Sequence, residues 1–357
     1  LEPMHPDLPG LPEIRKPLGL PPHRVPRKSE PDYARVITYL LKKARNTAGG
    51  SALRRLIYVG DTRLNDGQAF ANLCQASGWD GLAFIGAEGE DPATVQIQSE
   101  GPGVLYLANR WAMLEDFDQY AIQHHLPINE HTAVILDLDK TTVGARGRND
   151  HVINAARVEA VRRTVGELLG DDFDVRTFER AYDTLNQTTY HPFTTDNQDY
   201  LAYTCLILGS DLMDLPSLVS DIESGELDTF RDFLETVESQ SDALPSDLHE
   251  LHAQIYDRVR AGDPTPFKAF RYNEYFTTIE RFGNVDDEVP ASERLDREIV
   301  ITQEIRDLAL RWQARGALLF GLSDKPDEAS VPTPVLAAEG RTPIHAAVTH
   351  VVGRKAS

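Results

Sequence analysis

Cysteine is almost absent from this chain. Only Cys74 and Cys205 occur, far apart and at no metal-ligand spacing, which excludes a disulfide framework and a thiolate metal cluster. Both read as small buried hydrophobes, and such cysteine use fits a reducing compartment. Long apolar runs are missing too: none reaches the length needed to span a bilayer, and no signal-peptide pattern opens the sequence. The expectation is a soluble, cytoplasmic protein without a membrane partner. Positive charge is in short supply, with 36 Lys and Arg against 56 Asp and Glu and a formal net charge of −20. That balance argues against a nucleic-acid partner and against anionic membrane surfaces. A phosphate-cradling glycine loop is lacking as well, since Gly86-Ala87-Glu88-Gly89 has neither the pattern nor the context. No internal repeat is visible, and nothing fixes the oligomeric state.

What is present is a chain of 357 residues, 41% of them apolar, enough for a core domain of ordinary size and a second one. Residues 1–26 are dense in proline, which removes donors and blocks helix, so an extended or irregular N-terminal arm is expected. Tyr33, Val36, Ile37, Leu40 and Leu41 then share one helical face, which stops at Asn46 and Gly49-Gly50. Short apolar runs follow at Leu56-Ile57-Tyr58-Val59, Leu82-Ala83-Phe84-Ile85, Val104-Leu105-Tyr106-Leu107 and Ala133-Val134-Ile135-Leu136, with helical stretches at 68–76 and 111–122. Such runs read as buried parallel strands. From 150 to about 290 helical periodicity takes over, with helices expected at 152–169, 199–208, 227–237, 248–259 and 266–282 and no strand. One long helix is expected over 295–313. It feeds a strand at Ala317-Leu318-Leu319-Phe320, and 346–352 is strand-like. Alternation at both ends implies an α/β, Rossmann-like parallel sheet covered by helices, with a large helical insertion between its two parts. The expected division is an arm over 1–26, core over 27–149, helical domain over 150–292 and core again over 293–357.

Three of the apolar runs end in polar residues, and ligands of open parallel sheets bind at the carboxyl ends of strands. The first end is Asp137-Leu138-Asp139, where alternation along an extended chain turns both carboxylates to one side. Carboxylates that close repel unless a cation lies between them or one is protonated. Magnesium, which takes hard oxygen ligands from one or two carboxylates together with phosphate and water, suits such a pair. The second end is Gly60-Asp61, followed by Asn65-Asp66. The third is Ser323-Asp324-Lys325-Pro326, a hydroxyl and a cation able to grip a phosphate oxygen. Any one aspartate after a strand is commonly a turn residue or helix cap. Three such clusters in one α/β layer are harder to assign to capping alone.

Taken together these residues resemble the haloacid dehalogenase-like (HAD) superfamily. Val134 to Thr142 resembles its first motif, a hydrophobic strand ending in Asp-x-Asp-x-Thr, with Lys140 where many members carry glycine. Leu318 to Ser323 is similar to the second motif, a strand ending in Ser or Thr. Tyr58-Val59-Gly60-Asp61 with Asn65-Asp66 resembles the fourth, a strand followed by Gly-Asp and a further Asp. The order differs: the Gly-Asp motif normally comes last and here precedes Asp-x-Asp. A circular permutation accounts for this, with the chain opening near the third motif, a Lys or Arg before a helix. Lys28 in Arg27-Lys28-Ser29-Glu30-Pro31 fits that place, with Lys325 and Lys355 as competitors. The helical block then occupies the place of the family's cap.

The resemblance implies a magnesium-dependent phosphatase acting on a small phosphorylated substrate. Asp137 would be the nucleophile that forms an aspartyl-phosphate, and Asp139 the general acid and base. Asp137, Asp139 (through its backbone carbonyl) and Asp61 or Asp66 would hold the metal, and Thr141, Ser323, Lys28 and Lys325 the phosphate side. Asp139 favours phosphoryl over dehalogenase chemistry. In the cap, Lys268 and Arg271 beside Phe267 and Phe270 are candidates for the leaving group, as is Tyr190-His191-Pro192-Phe193, although Phe267 and Phe270 also have the spacing of a packing face. A phosphomutase or phosphotransferase keeps the same two aspartates, and a non-catalytic scaffold on this fold is the rival of another class.

Overall fold

The computed structural model of the chain describes residues 7–22, 25–89, 91–195 and 197–353. They divide into two compact units, one built from residues up to 154 with 281–325 and 347 onward, the other from 155–280 with 326–346. Among the described residues no helix is long and apolar enough to cross a membrane.

The first unit is α/β. Its strands are β1 (Arg55–Gly60), β2 (Asp80–Gly86), β3 (Val95–Glu100), β4 (Gly103–Ala108), β5 (Thr132–Asp137), β6 (Ile301–Thr302), β7 (Leu318–Leu322) and β8 (Val351–Val352). Six of them form one sheet in the order β3-β4-β2-β1-β5-β7, and β6 pairs with β8 in a separate two-stranded patch. Side chains alternate between the two faces. On β1, Tyr58 packs against the helices α1 (Leu11–Leu18), α2 (Pro31–Thr47) and α3 (Gln68–Ser77), alongside Leu11, Ile14, Val36, Leu41 and Phe70. Its neighbours Ile57 and Val59 pack on the opposite face against Trp111 and Phe117, on and before α4 (Leu114–Gln123), and against Leu308 and Trp312 of the helix Gln303–Ala314. Burial on both faces is why these strands are continuous apolar runs.

Four expectations are corrected. The sheet is mixed rather than parallel, because β3 runs antiparallel to β4. Its sequence, Val-Gln-Ile-Gln-Ser-Glu, is mostly polar and exposed or half-buried throughout, as suits an edge strand, and a turn at Gly101 (φ 55°) returns the chain directly into β4. The proline-dense arm contains α1. Gly10 precedes it, Gly19 ends it in the left-handed region, and buried Leu11 and Ile14 tie it down despite Pro17 in its last turn. The helix expected over 295–313 is broken into Ala291–Arg297 and Gln303–Ala314 by β6, where Ile299-Val300-Ile301-Thr302 is buried or half-buried and β-branched. Strand structure at the C-terminal end is confined to Val351–Val352.

The second unit is helical. Its helices include Val175–Leu185, Gln198–Gly209, Leu215–Ser224, Phe230–Ser239, Ser246–Arg260 and Lys268–Ile279. They close over a core that includes Leu206, Phe230, Phe233, Ile255, Phe267 and Phe270. The segment 326–346 joins this unit through Lys268 to Glu328 (2.9 Å) and the Tyr275 hydroxyl donating to the carbonyl of Thr342 (2.8 Å).

Candidate active site

Strands β1 and β5 are neighbours near the middle of the sheet, and successive strands leave them in opposite directions, β2 and β4 to one side and β7 to the other. Such a reversal opens a crevice beyond the carboxyl ends of the two strands. The register sets Val59 opposite Leu136, and Asp137 opposite Leu322. Asp61, Asp137, Asp139 and Ser323 therefore leave the sheet at one edge.

Asp137 is the last residue of β5 and is buried. Its Oδ2 accepts from the Thr141 hydroxyl at 2.8 Å, and its backbone carbonyl accepts from the Thr142 hydroxyl at 2.6 Å and the Thr142 amide at 3.2 Å. The loop after β5 is pinned from outside as well, since Thr302 donates its amide to the Thr142 carbonyl (2.8 Å) and its hydroxyl to the Thr141 carbonyl (2.7 Å). Lys140 turns the chain with φ at 61°, the left-handed conformation that glycine takes most easily.

Lys28, just ahead of α2, is buried at the centre of this group. Its Nζ lies 2.5 Å from Asp137 Oδ1 and 2.5 Å from Asp66 Oδ1, and 5.7 Å from the centre of the Tyr58 ring. Burial by itself would lower the lysine's pKa, but Tyr58, Asp137 and Asp66 together hold it well above its ordinary value. Asp66 is the most fully bonded carboxylate of the set. Besides Lys28, its Oδ1 accepts from the Tyr58 hydroxyl at 3.0 Å, and its Oδ2 accepts from the amides of Asp61 (3.0 Å) and Thr62 (2.8 Å) and the Thr62 hydroxyl (2.9 Å). Burial would raise its pKa, yet Lys28 and the Thr62 donors pull it below the usual carboxylate value. A single π-helical turn, Arg63–Gly67, brings it back beneath the end of β1. Gly60 leaves the space it needs: a Cβ there would stand 2.6 Å from Asp66 Cγ.

Asp61 receives Arg146, whose Nε lies 2.5 Å from its Oδ2. One carboxylate oxygen each from Asp61, Asp66 and Asp137 lie within 4.8 Å of one another. These three carboxylates meet two cations, Lys28 and Arg146. Burial pushes Asp137 up to about 8, with Lys28 opposing and Asp66 and Asp61 reinforcing the shift. Burial likewise carries Asp61 up to about 6 against the pull of Arg146. A divalent cation or a proton relieves such crowding, and the donors are all hard oxygens.

Asp139 stands apart from the three-carboxylate group. Its carboxylate faces Lys325 Nζ at 3.7 Å and is a third exposed. Lys325 donates its backbone amide to Ser323 Oγ at 3.0 Å, so the turn after β7 carries the hydroxyl and the cation together. The cap candidates are engaged within their own unit. Arg271 Nε bonds Asp199 at 2.8 Å and its Nη1 bonds Glu274 at 2.5 Å, all buried or nearly so. Lys268 pairs with Glu328 and with Asp263 (3.3 Å). Tyr190, Phe193, Phe267 and Phe270 are core side chains of the helical unit. Lys355 lies outside the described residues.

Tyr58, Thr62 and Arg146 were not singled out from the sequence. Tyr58 reads there as one more apolar residue of β1, and only its place beside Asp66 gives its hydroxyl a task. Arg146 stands in Gly144-Ala145-Arg146-Gly147-Arg148, a glycine-flanked basic run directly after Asp-x-Asp, and that run was the available signal. No protein-family model matches the chain, and no curated protein or solved structure does either.

Proposed function

We propose that the protein is a magnesium-dependent phosphohydrolase of the HAD-like kind, circularly permuted and carrying its helical unit as a cap, with Asp137 as its nucleophile. The observation that carries this reading is the bridge of Lys28 between Asp137 and Asp66. Three segments far apart in sequence meet there at the carboxyl ends of β1 and β5, which supports the rotated motif order.

The residues divide the work as follows. A carboxylate oxygen of Asp137 attacks phosphorus, a new O–P bond forms, and the bond from phosphorus to the leaving oxygen breaks. Asp139 gives that oxygen its proton, then takes one from the water that attacks the aspartyl-phosphate and releases inorganic phosphate. Thr141 and Lys28 fix the Asp137 carboxylate, the first through Oδ2 and the second through Oδ1. Ser323 and Lys325 face the phosphoryl oxygens from β7. Asp66 already has five donors, so it orients Lys28, and a metal would be held by Asp137 and Asp61 together with, as the resemblance implies, the backbone carbonyl of Asp139. Magnesium bound there would neutralise the charge that otherwise keeps nucleophile and phosphate apart.

Asp137→Asn tests the reading. It removes a carboxylate crowded by two others, so the fold should persist with unchanged or higher melting temperature, while hydrolysis of p-nitrophenyl phosphate and of a panel of phosphorylated metabolites is lost. Turnover by that variant at the wild-type rate would sink the mechanism. Phosphate appearing on an added acceptor instead of in solution would mark a phosphotransferase. Inactivity of the wild type on every ester, with and without magnesium, would favour a binding role.

A further inference from the structure

We propose that Arg146 is the anion clamp of this site, taking the phosphoryl oxygens of the substrate on the two terminal nitrogens of its guanidinium. The inference rests on the phosphohydrolase reading for the substrate class, and on geometry for the residue. The basic residues near the strand ends have different fates. Lys28 is 7% exposed and spent on two carboxylates. Lys325 is 6% exposed beside Asp139. Arg148, two residues on from Arg146, is 7% exposed, with Nη1 and Nη2 on Glu304 and Nη2 also on Glu88, all at 2.9 Å. Arg146 alone of these is open, at 37% exposure. It is held through Nε on Asp61, and its Nη1 and Nη2 have no partner among the described residues.

The backbone beneath it is fixed. The Arg146 amide donates to the Lys140 carbonyl at 2.7 Å, and its carbonyl accepts from the Glu88 amide at 2.9 Å and from Trp111 Nε1 at 3.1 Å. Gly147 follows with φ at 76°, so close to Glu88 that a Cβ would stand 2.0 Å from the Glu88 carbonyl oxygen. A guanidinium on an anchored loop is pinned through Nε to Asp61, beside the carboxylate group, and its terminal nitrogens are left for a ligand. Two parallel N–H groups on those nitrogens match two oxygens of a phosphoryl group. Because Asp61 already orients the plane, little further order is lost when an anion docks. Asp61 thereby has two tasks, holding Arg146 and belonging to the carboxylate group with Asp66 and Asp137.

Inorganic phosphate titrated calorimetrically into the full-length chain with magnesium tests this, using wild type, Arg146→Gln and Arg146→Lys. The glutamine variant should bind phosphate about tenfold more weakly or worse, and lysine, which keeps charge without the fork, should fall between. With p-nitrophenyl phosphate, KM should rise by at least the factor by which kcat falls. Phosphate affinity within twofold of wild type in both variants overturns the clamp, as does a wild type that binds no phosphate. Should the glutamine variant not fold, the lysine variant decides by the same criterion. Hydrolysis that survives while phosphate affinity is unchanged removes the clamp alone. Phosphate binding that depends on Arg146 in a protein without esterase activity leaves the clamp standing and removes the hydrolase.

Discussion

Lys28 is a buried ammonium with two carboxylates and a tyrosine ring around it, so its removal is costly for reasons independent of catalysis. Lys28→Met leaves Asp66 and Asp137 facing each other without a counter-charge, and the expected loss is about 3 kcal/mol or more in chemical denaturation. Adding Asp137→Asn to that variant should recover part of the loss, because the surviving carboxylate, Asp66, keeps its four other donors. Additivity of the two changes would mean that the bridge is not the source of the effect. At this scale the acidic members of the site were legible, because Asp137, Asp139, Asp61 and Asp66 sit at the ends of recognisable apolar runs. Their order of importance was not. Nothing in the sequence distinguishes Asp66, saturated by five donors, from Asp61, whose carboxylate accepts from Arg146. The deciding contacts come from Tyr58 and Thr62, which carry no motif signal. Arg271 reads as a binding residue beside two phenylalanines until Asp199, 72 positions away, turns out to hold it.

Elements decide how tightly the site is held. The turn from β1 through Arg63–Gly67 works because Gly60 leaves room for the Asp66 side chain. Gly60→Ala should displace that carboxylate and, through it, Lys28. Displacements near 1 Å at a reacting group cost on the order of a hundredfold in rate, so kcat for p-nitrophenyl phosphate should drop at least tenfold on that scale. The melting temperature should fall little by comparison, and unchanged kcat would show that Asp66 does not set the position of Lys28. A second element, the β6–β8 patch, has its own pH dependence. His350 lies between Glu298 (2.7 Å) and Asp287 (2.8 Å), and these bonds raise its pKa above its ordinary value near 6.5, with Arg294 opposing. A raised histidine stabilises fully below its unfolded value, and that contribution is lost as pH climbs through the folded one. The Ile301 amide, which donates to the His350 carbonyl, should therefore exchange faster at pH 8 than at pH 5.5 after correction for intrinsic rates. His350→Gln should abolish the difference. Strand β8 falls inside the strand-like 346–352, but β6 was invisible in the sequence because it is two residues long, too short for any periodicity, and because Ile299 to Thr302 interrupts an otherwise continuous helical pattern.

For the molecule as a whole, the reading makes folding and cation binding one equilibrium. Magnesium at a hundred times its dissociation constant should add about 2.7 kcal/mol of stability, seen as a higher melting temperature that chelation reverses and that Asp61→Asn lacks. The gain should be larger at pH 8.5 than at pH 6, because the Asp137 and Asp61 carboxyls are raised to about 8 and about 6, and protons compete for them as pH falls. An equal gain at both values would separate the cation from those two groups. At this scale the α/β class and the helical middle were legible from alternation and periodicity. The antiparallel β3 and the crossing of 326–346 into the helical unit were not, since both depend on partners that local pattern does not reveal. The strand order has one more consequence, for synthesis on the ribosome. Strand β5 lies between β1 and β7, and β7 is encoded some 180 residues later. At roughly 5–20 residues per second of elongation, one edge of β5, apolar and ending in Asp137, waits about 10–40 s for its partner. An uncovered strand edge is a template for wrong pairing. The nascent chain thus passes through a window, after Asp137 emerges and before Leu322 does, in which a chaperone has most to protect.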